Sequence, residues 1–251
     1  MQLSHTRPVA SAIFDDPNLV SCAGLVPIAA LAQKCGLATL AEEHLTVPTD
    51  KGAHAGAKVS ALVAGMVAGA DSIDDMALLR HGGMGRVFAR AYAPSTLGSF
   101  LRSFSFGHVR QLDAVASRFL TNLAAQAPQV VGDGTGGRVL VDVDDTIIEV
   151  HGHAKQGAGF GYSKVRGLNA LLATVTTAGS APVVVAQRLR KGSYGSSRGA
   201  TRLVADPLKT VSELHGRTQV KPLLRADSAF YGAPKVGPRC AAGPRCRSPC
   251  A

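Results

Sequence analysis

One acidic stretch in the second half of the chain reads Arg138-Val-Leu-Val-Asp-Val-Asp-Asp-Thr-Ile-Ile-Glu-Val-His-Gly152. Apolar residues on both sides of the three aspartates predict a strand over about residues 138–150. Burying unpaired charge is costly, so carboxylates on an apolar strand indicate a function rather than a contribution to stability. Carboxylates gathered in this way typically hold a divalent cation or perform acid–base chemistry.

The alternation of side chains along a strand divides these aspartates between two faces. Asp142 and Asp144 lie two positions apart and therefore share a face, whereas Asp145 points to the other face. Asp145 is interpreted as a carboxylate of a strand edge or turn. Asp142 is interpreted as a supporting or solvated group beside Asp144.

The composition is that of a globular protein with a basic second half. The chain has 251 residues, of which 46% are hydrophobic and 18% charged, and a net charge of +10. Residues 131–251 carry 17 Lys and Arg against 8 Asp and Glu, whereas residues 1–130 carry 10 against 9. A basic surface around carboxylates suits a polyanionic substrate. Aromatic residues make up only 5% of the chain, so aromatic stacking is not expected to dominate a binding surface.

Neither a membrane segment nor a disulfide framework is predicted. The longest apolar run, Val59 to Ala70, is shorter than the roughly 20 residues that span a bilayer. The N-terminus has no apolar stretch of the kind found in signal peptides. The five cysteines are odd in number and clumped. These features predict a cytoplasmic protein.

The first half of the chain has the periodicity of helices, with a loop at 46–56. The helices are predicted at about 25–35, 37–45, 57–69, 72–85, 95–105 and 108–126. The last two are joined at Gly107 and fit either a DNA-binding helix-turn-helix or ordinary packing in a helical bundle. Both interpretations stay open.

A Gly-rich linker at 131–137 separates the helical region 1–130 from a region of strands at 138–232. After the acidic strand, strands are predicted at about 167–176, 183–190 and 219–226, with a helix at 200–215 before the last. This order predicts a mixed sheet whose last strand lies parallel to the first. Asp144 and Asp227 would then face each other and could flank one divalent cation or bridge two.

Basic residues cluster in two loops of this region and are candidates for contacts with phosphate, which position nucleic acid without reading its sequence. A solvated charged loop is the open alternative for each of them. The candidates are Lys164, Arg166, Arg188, Arg190, Lys191 and Arg198.

Two family resemblances compete at the acidic strand. The sequence Asp142-Val-Asp-Asp-Thr146 is similar to the DxDxT motif of haloacid-dehalogenase-like phosphatases, which implies Asp142 as nucleophile and Asp144 as acid–base. That family needs an acidic pair on a later strand, and Asp227-Ser-Ala supplies one acid.

The more extensive resemblance covers about residues 1–232. The chain resembles the DDE transposases of bacterial insertion sequences that have a long helical N-terminal region. Four matching stretches occur in order: Val141 to Gly152, Gly161-Tyr-Ser-Lys-Val-Arg-Gly-Leu-Asn-Ala-Leu-Leu172, Arg188-Leu-Arg-Lys-Gly192 and Leu224-Arg-Ala-Asp-Ser-Ala-Phe-Tyr-Gly232.

This resemblance implies an α+β fold: a helical N-terminal region followed by an incomplete RNase H-like mixed β-sheet domain. It also implies nicking of DNA at terminal inverted repeats and strand transfer to target DNA, with Mg²⁺ or Mn²⁺ held by two Asp and one Glu. Asp144 resembles the first acid and Asp227 the second. The implied location is the nucleoid, and a homo-oligomeric state is left open.

The third acid of the family is expected downstream on a helix, and the sequence departs from the family there. Only 24 residues follow Asp227, and the segment 233–251 is rich in Pro, Arg, Cys and Gly and has no acid. We therefore expect a truncated or frameshifted, inactive transposase with an aberrant, disordered tail. The alternative is a non-catalytic DNA-binding fragment, such as an inhibitor of a full-length copy.

Overall fold

A computed structural model describes residues 16–88, 90–132, 139–152, 155–196, 198–214, 222–227, 230 and 246–247. The chain forms two compact units, Met1–His108 and Val109–Ala251. The sequence analysis assigned the helix predicted at 108–126 to the helical region 1–130. In the structure this helix lies almost wholly in the second unit. The functional boundaries predicted at 130 and 137 stay predictions.

The first unit is helical, as the sequence predicts. Its α-helices are α1 (Leu25–Lys34), α2 (Leu37–His44), α3 (Thr49–Gly52), α4 (Ala55–Val67) and α5 (Pro94–Arg102), and two 3₁₀ helices cover Asp74–Arg80 and Gly82–Arg86. Gly36 separates α1 from α2 with a φ of 79°, a left-handed conformation that glycine adopts without a steric penalty.

The core of this unit forms around methionine and leucine side chains. Met84 and Leu97 are fully buried and pack in one cluster with Leu25, Met76 and Leu79. Lys58 is also buried, and its Nζ donates a hydrogen bond to the carbonyl oxygen of Lys51 at 2.6 Å. That bond offsets part of the cost of removing an ammonium group from water.

Two predictions about this unit are wrong in detail. The segment 46–56 is not a loop throughout, because it contains α3 and the first residues of α4. The helix predicted at 72–85 is two short 3₁₀ pieces. Just before the first of them, the Ser72 backbone N–H donates to the Asp75 carboxylate at 2.8 Å, and the Ser72 hydroxyl donates to it at 2.7 Å.

In the described part of the chain, no single helix has the length and apolar character needed to cross a bilayer. Helices α1 and α2 pass those criteria only as a bent pair.

The second unit combines two long helices with a mixed sheet. Its elements are α6 (Phe106–Gln126, which begins in the first unit), a 3₁₀ turn at Pro128–Val130, β1 (Leu140–Glu149), β2 (Gly159–Phe160), β3 (Arg166–Thr176), β4 (Val183–Lys191), α7 (Ala200–Leu214), β5 (Leu223–Ala226) and β6 (Cys246–Arg247). The predicted strands and the helix at 200–215 are confirmed, with β2 as a short addition between the first two predicted strands. Helix α7 forms despite Pro207.

The strand pairing is the predicted one. Strand β3 lies between β1 and β4 and is antiparallel to both, whereas β5 pairs with β1 in parallel. The register between β3 and β4 shifts at Ala173 and Thr174, which is a β-bulge or similar irregularity. The predicted fold class, α+β with a mixed sheet, is confirmed.

The two faces of the sheet differ in what covers them. One face carries Val141, Val143 and Leu171, all buried, and packs against α7 and against Leu120 of α6. The other face carries Asp142 and Asp144, together with apolar side chains that are about half exposed, Ile148, Val184 and Leu189. Among the described residues, the acidic face is therefore the open face of the sheet.

The predicted tail lies mostly outside the described residues, as do the start of the predicted last strand (219–221) and most of the linker 131–137. Residues 246–247 are the described part of the tail, and they form β6, which pairs in parallel with β5.

Close contact between glycine backbones joins the end of β4 to the loop before β3. A Cβ atom at Gly192 would overlap the carbonyl oxygens of Gly159 and Gly167, whereas a Cβ atom at Gly195 meets nothing within 4 Å. We expect Gly192→Ala to lower the free energy of unfolding by about 1–3 kcal/mol, the usual cost of overpacking. Urea denaturation measures this. The matched control Gly195→Ala should stay within about 0.5 kcal/mol of wild type, and equal effects of the two substitutions would contradict the contact.

Candidate active site and nucleic-acid interface

The parallel register of β1 and β5 brings two distant aspartates to neighbouring positions. The pairing runs from Leu140 opposite Leu223 to Val143 opposite Ala226. Asp144 and Asp227 are the residues that directly follow the last partners of this pairing. That their carboxylates face each other, and that they are catalytic, stay predictions.

Both carboxylates are accessible to a ligand. Asp144 and Asp227 are exposed, and Oδ1 of Asp144 accepts a hydrogen bond of 2.8 Å from the backbone N–H of Asp145. The backbone of Asp227 is fixed by a 3.0 Å bond from the N–H of Phe230, whose ring is buried. Carboxylate oxygens are hard ligands, so this pair fits Mg²⁺ or Mn²⁺. The described residues contain no group of three or more His, Cys, Asp or Glu that could hold a metal.

Asp142 lies on the same face but has a different partner. Its carboxylate forms a two-pronged ion pair with Arg225 on the adjacent strand, in which Nη2 donates to Oδ2 at 2.8 Å and Nε donates to Oδ1. The hydrogen bonds from Arg225 to Asp142 raise the pKa of that guanidinium group. Asp142 therefore supports the β1–β5 pairing, and the position predicted for a phosphatase nucleophile is occupied by an ion pair.

Asp145 was predicted to be a carboxylate of a strand edge or turn, and this is wrong. Its side chain is 8% exposed and pairs with Arg190, whose side chain is 7% exposed, at 3.2 Å. The amide of Asn169 completes the group, donating to Asp145 and accepting from Nε of Arg190 at 2.9 Å. These residues come from β1, β3 and β4, so the group joins three strands.

Arg190 also holds the loop that follows β4. Its Nη1 donates to the carbonyl oxygen of Ser196 at 3.1 Å and to that of Arg198. Burial lowers the pKa of Arg190, and the charge of Asp145 acts in the opposite direction. A buried guanidinium that satisfies a carboxylate and several carbonyls fixes the position of the loop relative to β1.

Arg188 belongs to a second group of charges on the sheet face covered by α7. It bridges Asp113 of α6, at 3.0 Å, and Asp206 of α7. Arg110 pairs with Asp113 at 2.6 Å and with Asp206 at 3.5 Å, which completes a balanced set of two cations and two anions. Burial raises the pKa of Asp113, although Arg188 and Arg110 oppose this. This cluster lines a groove of about 500 Å³ between α6, β4 and α7.

The six predicted phosphate contacts therefore lie in different surroundings. Arg188 and Arg190 are largely buried in ion pairs, and Arg166 donates to the carbonyl oxygens of Val150 and Gly152 at 3.1 and 2.9 Å. The exposed members of the set are Lys164, Lys191 and Arg198. Contact with phosphate stays a prediction for all six, and these three present their charge to solvent.

Sequence reasoning missed Asn169, Arg225 and Asp113. The role of Asn169 could have been predicted, because a side-chain amide between apolar residues of a buried strand needs a hydrogen-bond partner. The pairing of Arg225 with Asp142 follows only from the strand register, and that of Asp113 with Arg188 only from the packing of α6 on the sheet.

The helices, the mixed sheet and the two strand-end carboxylates define an α+β protein of the class predicted from the sequence. The family model described as transposase DDE domain, group 1, matches residues 2–246. The chain therefore belongs to this family of transposase domains.

Comparison with solved structures finds similarity to a chain of the crystal structure of the Mos1 strand transfer complex. The sequence identity is 11%, the TM-score is 0.26, and the alignment covers 81% of this chain and 59% of that chain. This chain thus spans less than two thirds of the length of that protein. Comparison with curated proteins gives no match.

The buried pair of Arg190 and Asp145 yields a test by substitution. We expect Arg190→Met to lower the free energy of unfolding by about 3–5 kcal/mol, because it leaves a buried carboxylate without its cation. Urea denaturation measures this, with the neighbouring exposed residue as control: Lys191→Met should change stability by less than about 0.5 kcal/mol. The double variant Arg190→Met/Asp145→Leu should recover much of the loss. Equal effects at positions 190 and 191 would contradict the buried pair.

Proposed function

We propose that this chain is the catalytic unit of a DDE transposase that cuts DNA, with Asp144 and Asp227 as ligands of a divalent cation. The observation that supports the proposal is the parallel pairing of β1 and β5, whose register runs to Val143 and Ala226, the residues directly before Asp144 and Asp227. Membership of the transposase DDE domain family supports it. The substrates proposed are terminal inverted repeats and target DNA, and the place of action is the nucleoid in the cytoplasm.

The proposed roles of the residues follow from their surroundings. When bound, Mg²⁺ or Mn²⁺ supplies Lewis-acid activation of a phosphodiester and of the attacking oxygen. Asp144 presents its carboxylate from the middle of β1, where antiparallel pairing with β3 on one side holds the strand. Asp142 neutralises Arg225 on the neighbouring strand, so that cation does not compete with a metal for Asp144.

DNA binding is proposed for the exposed cations at one end of the sheet. Lys164, Lys191 and Arg198 lie in or beside loops without acidic residues, since 150–165 and 191–199 contain no Asp or Glu. Cations of this kind bind phosphate through long-range attraction, which makes the affinity depend on salt. A homo-oligomeric state is compatible with this proposal and is not required by it.

A second candidate function is DNA binding without cleavage. It is favoured by the finding that, in the part of the chain described by the structure, no third His, Cys, Asp or Glu joins Asp144 and Asp227 in a metal-binding group. A two-ligand site holds a cation more weakly than a three-ligand site, since each carboxylate contributes charge and coordination.

Metal binding by the two aspartates is testable without activity. We expect Mn²⁺ titration, followed by electron paramagnetic resonance, to show a site whose affinity falls at least about tenfold in Asp144→Asn and in Asp227→Asn, because each loses a direct ligand. Asp71→Asn, which changes an exposed aspartate in the first unit, is the control and should bind as wild type. Unchanged Mn²⁺ affinity in both site variants would refute the assignment of these ligands.

Cleavage separates the two candidate functions. A supercoiled plasmid with the DNA segments that flank the coding sequence is incubated with the chain and Mg²⁺ or Mn²⁺, and nicked product is measured. Nicking that disappears in Asp144→Asn and persists in Asp71→Asn is the result expected for a transposase. DNA binding by the wild-type chain without any nicking would contradict the first candidate and support the second.

A further inference from the structure

Two Gly-rich loops form one continuous surface at the end of the sheet. The "paired loops" are residues 157–165 and residues 191–196 with 198–199. The backbone N–H of Gly192 donates to the carbonyl oxygen of Gly157 at 3.1 Å. A Cβ atom added at Gly161 or Gly192 would press against the backbone of the opposite loop. The loops therefore contact each other through backbone atoms, with no side chains between them at these glycines.

The paired loops expose aromatic rings that a globular protein ordinarily buries. Phe160 is 66% exposed and Tyr162 is 82% exposed. Tyr194, on the second loop, is half-buried, with the Arg198 guanidinium 4.0 Å from its ring centre. Exposed rings of this size cost free energy in water unless a partner covers them. The low aromatic content of the chain gave no sign of this local concentration.

The charged residues within the paired loops are all cations. Lys164, Lys191 and Arg198 are exposed on the paired loops, and neither loop contains an Asp or Glu. Rings beside cations suit a ligand that has both flat apolar faces and negative charge. Unpaired nucleotides have that combination, whereas in a duplex the base faces are covered by stacking.

The paired loops are also held in place. Arg190 donates from the protein interior to carbonyl oxygens at 196 and 198, and its partner Asp145 lies on β1 next to Asp144. Strand β2 pairs Phe160 with Arg166 at the start of β3. A surface fixed in advance loses less conformational entropy when it binds a ligand.

We propose that the paired loops bind unpaired DNA nucleotides, with Phe160 and Tyr162 stacking on bases and Lys164, Lys191 and Arg198 contacting phosphates. The choice of DNA rests on the proposed function. The loops lie at the Glu149 end of β1, five residues beyond Asp144, which corresponds to roughly 17 Å along an extended strand. The nucleotides held there belong to a strand that flanks the position of Asp144 and Asp227.

The experiment measures fluorescence anisotropy of labelled oligo(dT) and of a labelled duplex of equal length. We expect the wild-type chain to bind oligo(dT), and the double variant Phe160→Ala/Tyr162→Ala to bind it at least about tenfold more weakly, because each lost stacking contact is worth a factor of this order. Duplex affinity should change less than twofold. Lys164→Ala should instead lower the affinity for both oligo(dT) and the duplex, and it should reduce the salt dependence of binding.

Controls separate stacking from a change in folding. Tyr162→Phe retains the ring and should bind oligo(dT) as wild type, and Phe106→Ala removes an 80% exposed ring elsewhere and should have no effect. Circular dichroism should show unchanged unfolding for all of these variants. Equal oligo(dT) affinity of the wild type and the double variant would overturn the proposal, as would stronger binding of oligo(rU) than of oligo(dT).

This outcome is independent of cleavage. If nicking is absent and the aromatic variants still lose oligo(dT) binding, the proposed binding surface is supported and the proposed transposase activity is refuted. If nicking occurs and the aromatic variants bind as wild type, the proposed activity is supported and the proposed binding surface is refuted.

Discussion

The buried ion pair between Arg190 and Asp145 is the contact on which the site end of the sheet depends. Both side chains are more than nine-tenths buried, so each charge is tolerable only because the other is present. Asn169 links the two side chains, because its amide nitrogen donates to Asp145 and its amide oxygen accepts from Arg190. Because the three residues lie on three different strands, the register of β1, β3 and β4 is fixed by electrostatics as well as by backbone pairing.

The three aspartates of strand β1 lie on two different faces of the sheet. Asp145 points inward and stabilises the sheet, whereas Asp142 and Asp144 point to the open face. On that face Asp142 is committed to Arg225, and among the described residues no Lys, Arg or His forms an ion pair with Asp144. Asp145 thus anchors the interior, Asp142 links β1 to the adjacent strand, and Asp144 remains accessible. They divide between the two faces because side chains alternate along a strand.

Local sequence patterns were sufficient for the strand order and for the parallel pairing of the first and last predicted strands. Alternation predicted which aspartates share a face, and the sequence of strand, strand, strand, helix and strand predicted the parallel return. Local patterns could not predict ion-pair partners that are distant in the sequence. Arg190 lies 45 positions from Asp145, and Arg188 lies 75 positions from Asp113. Those arginines were predicted as phosphate ligands because a basic residue near a loop has the same local signature whether it faces DNA or a buried carboxylate.

The environment of strand β4 has a consequence for self-association. Among the described long strands, β4 pairs with β3 alone. The outer edge of β4 therefore presents unpaired backbone groups, which can pair with a strand of another chain. The irregular register at Ala173 and Thr174 interrupts the regular ladder beneath that edge. Arg188 and Arg190 point inward from it, and Lys191 stands at its end. An incoming strand would meet an interrupted ladder and the exposed charge of Lys191, and both features discourage aggregation through the edge of the sheet.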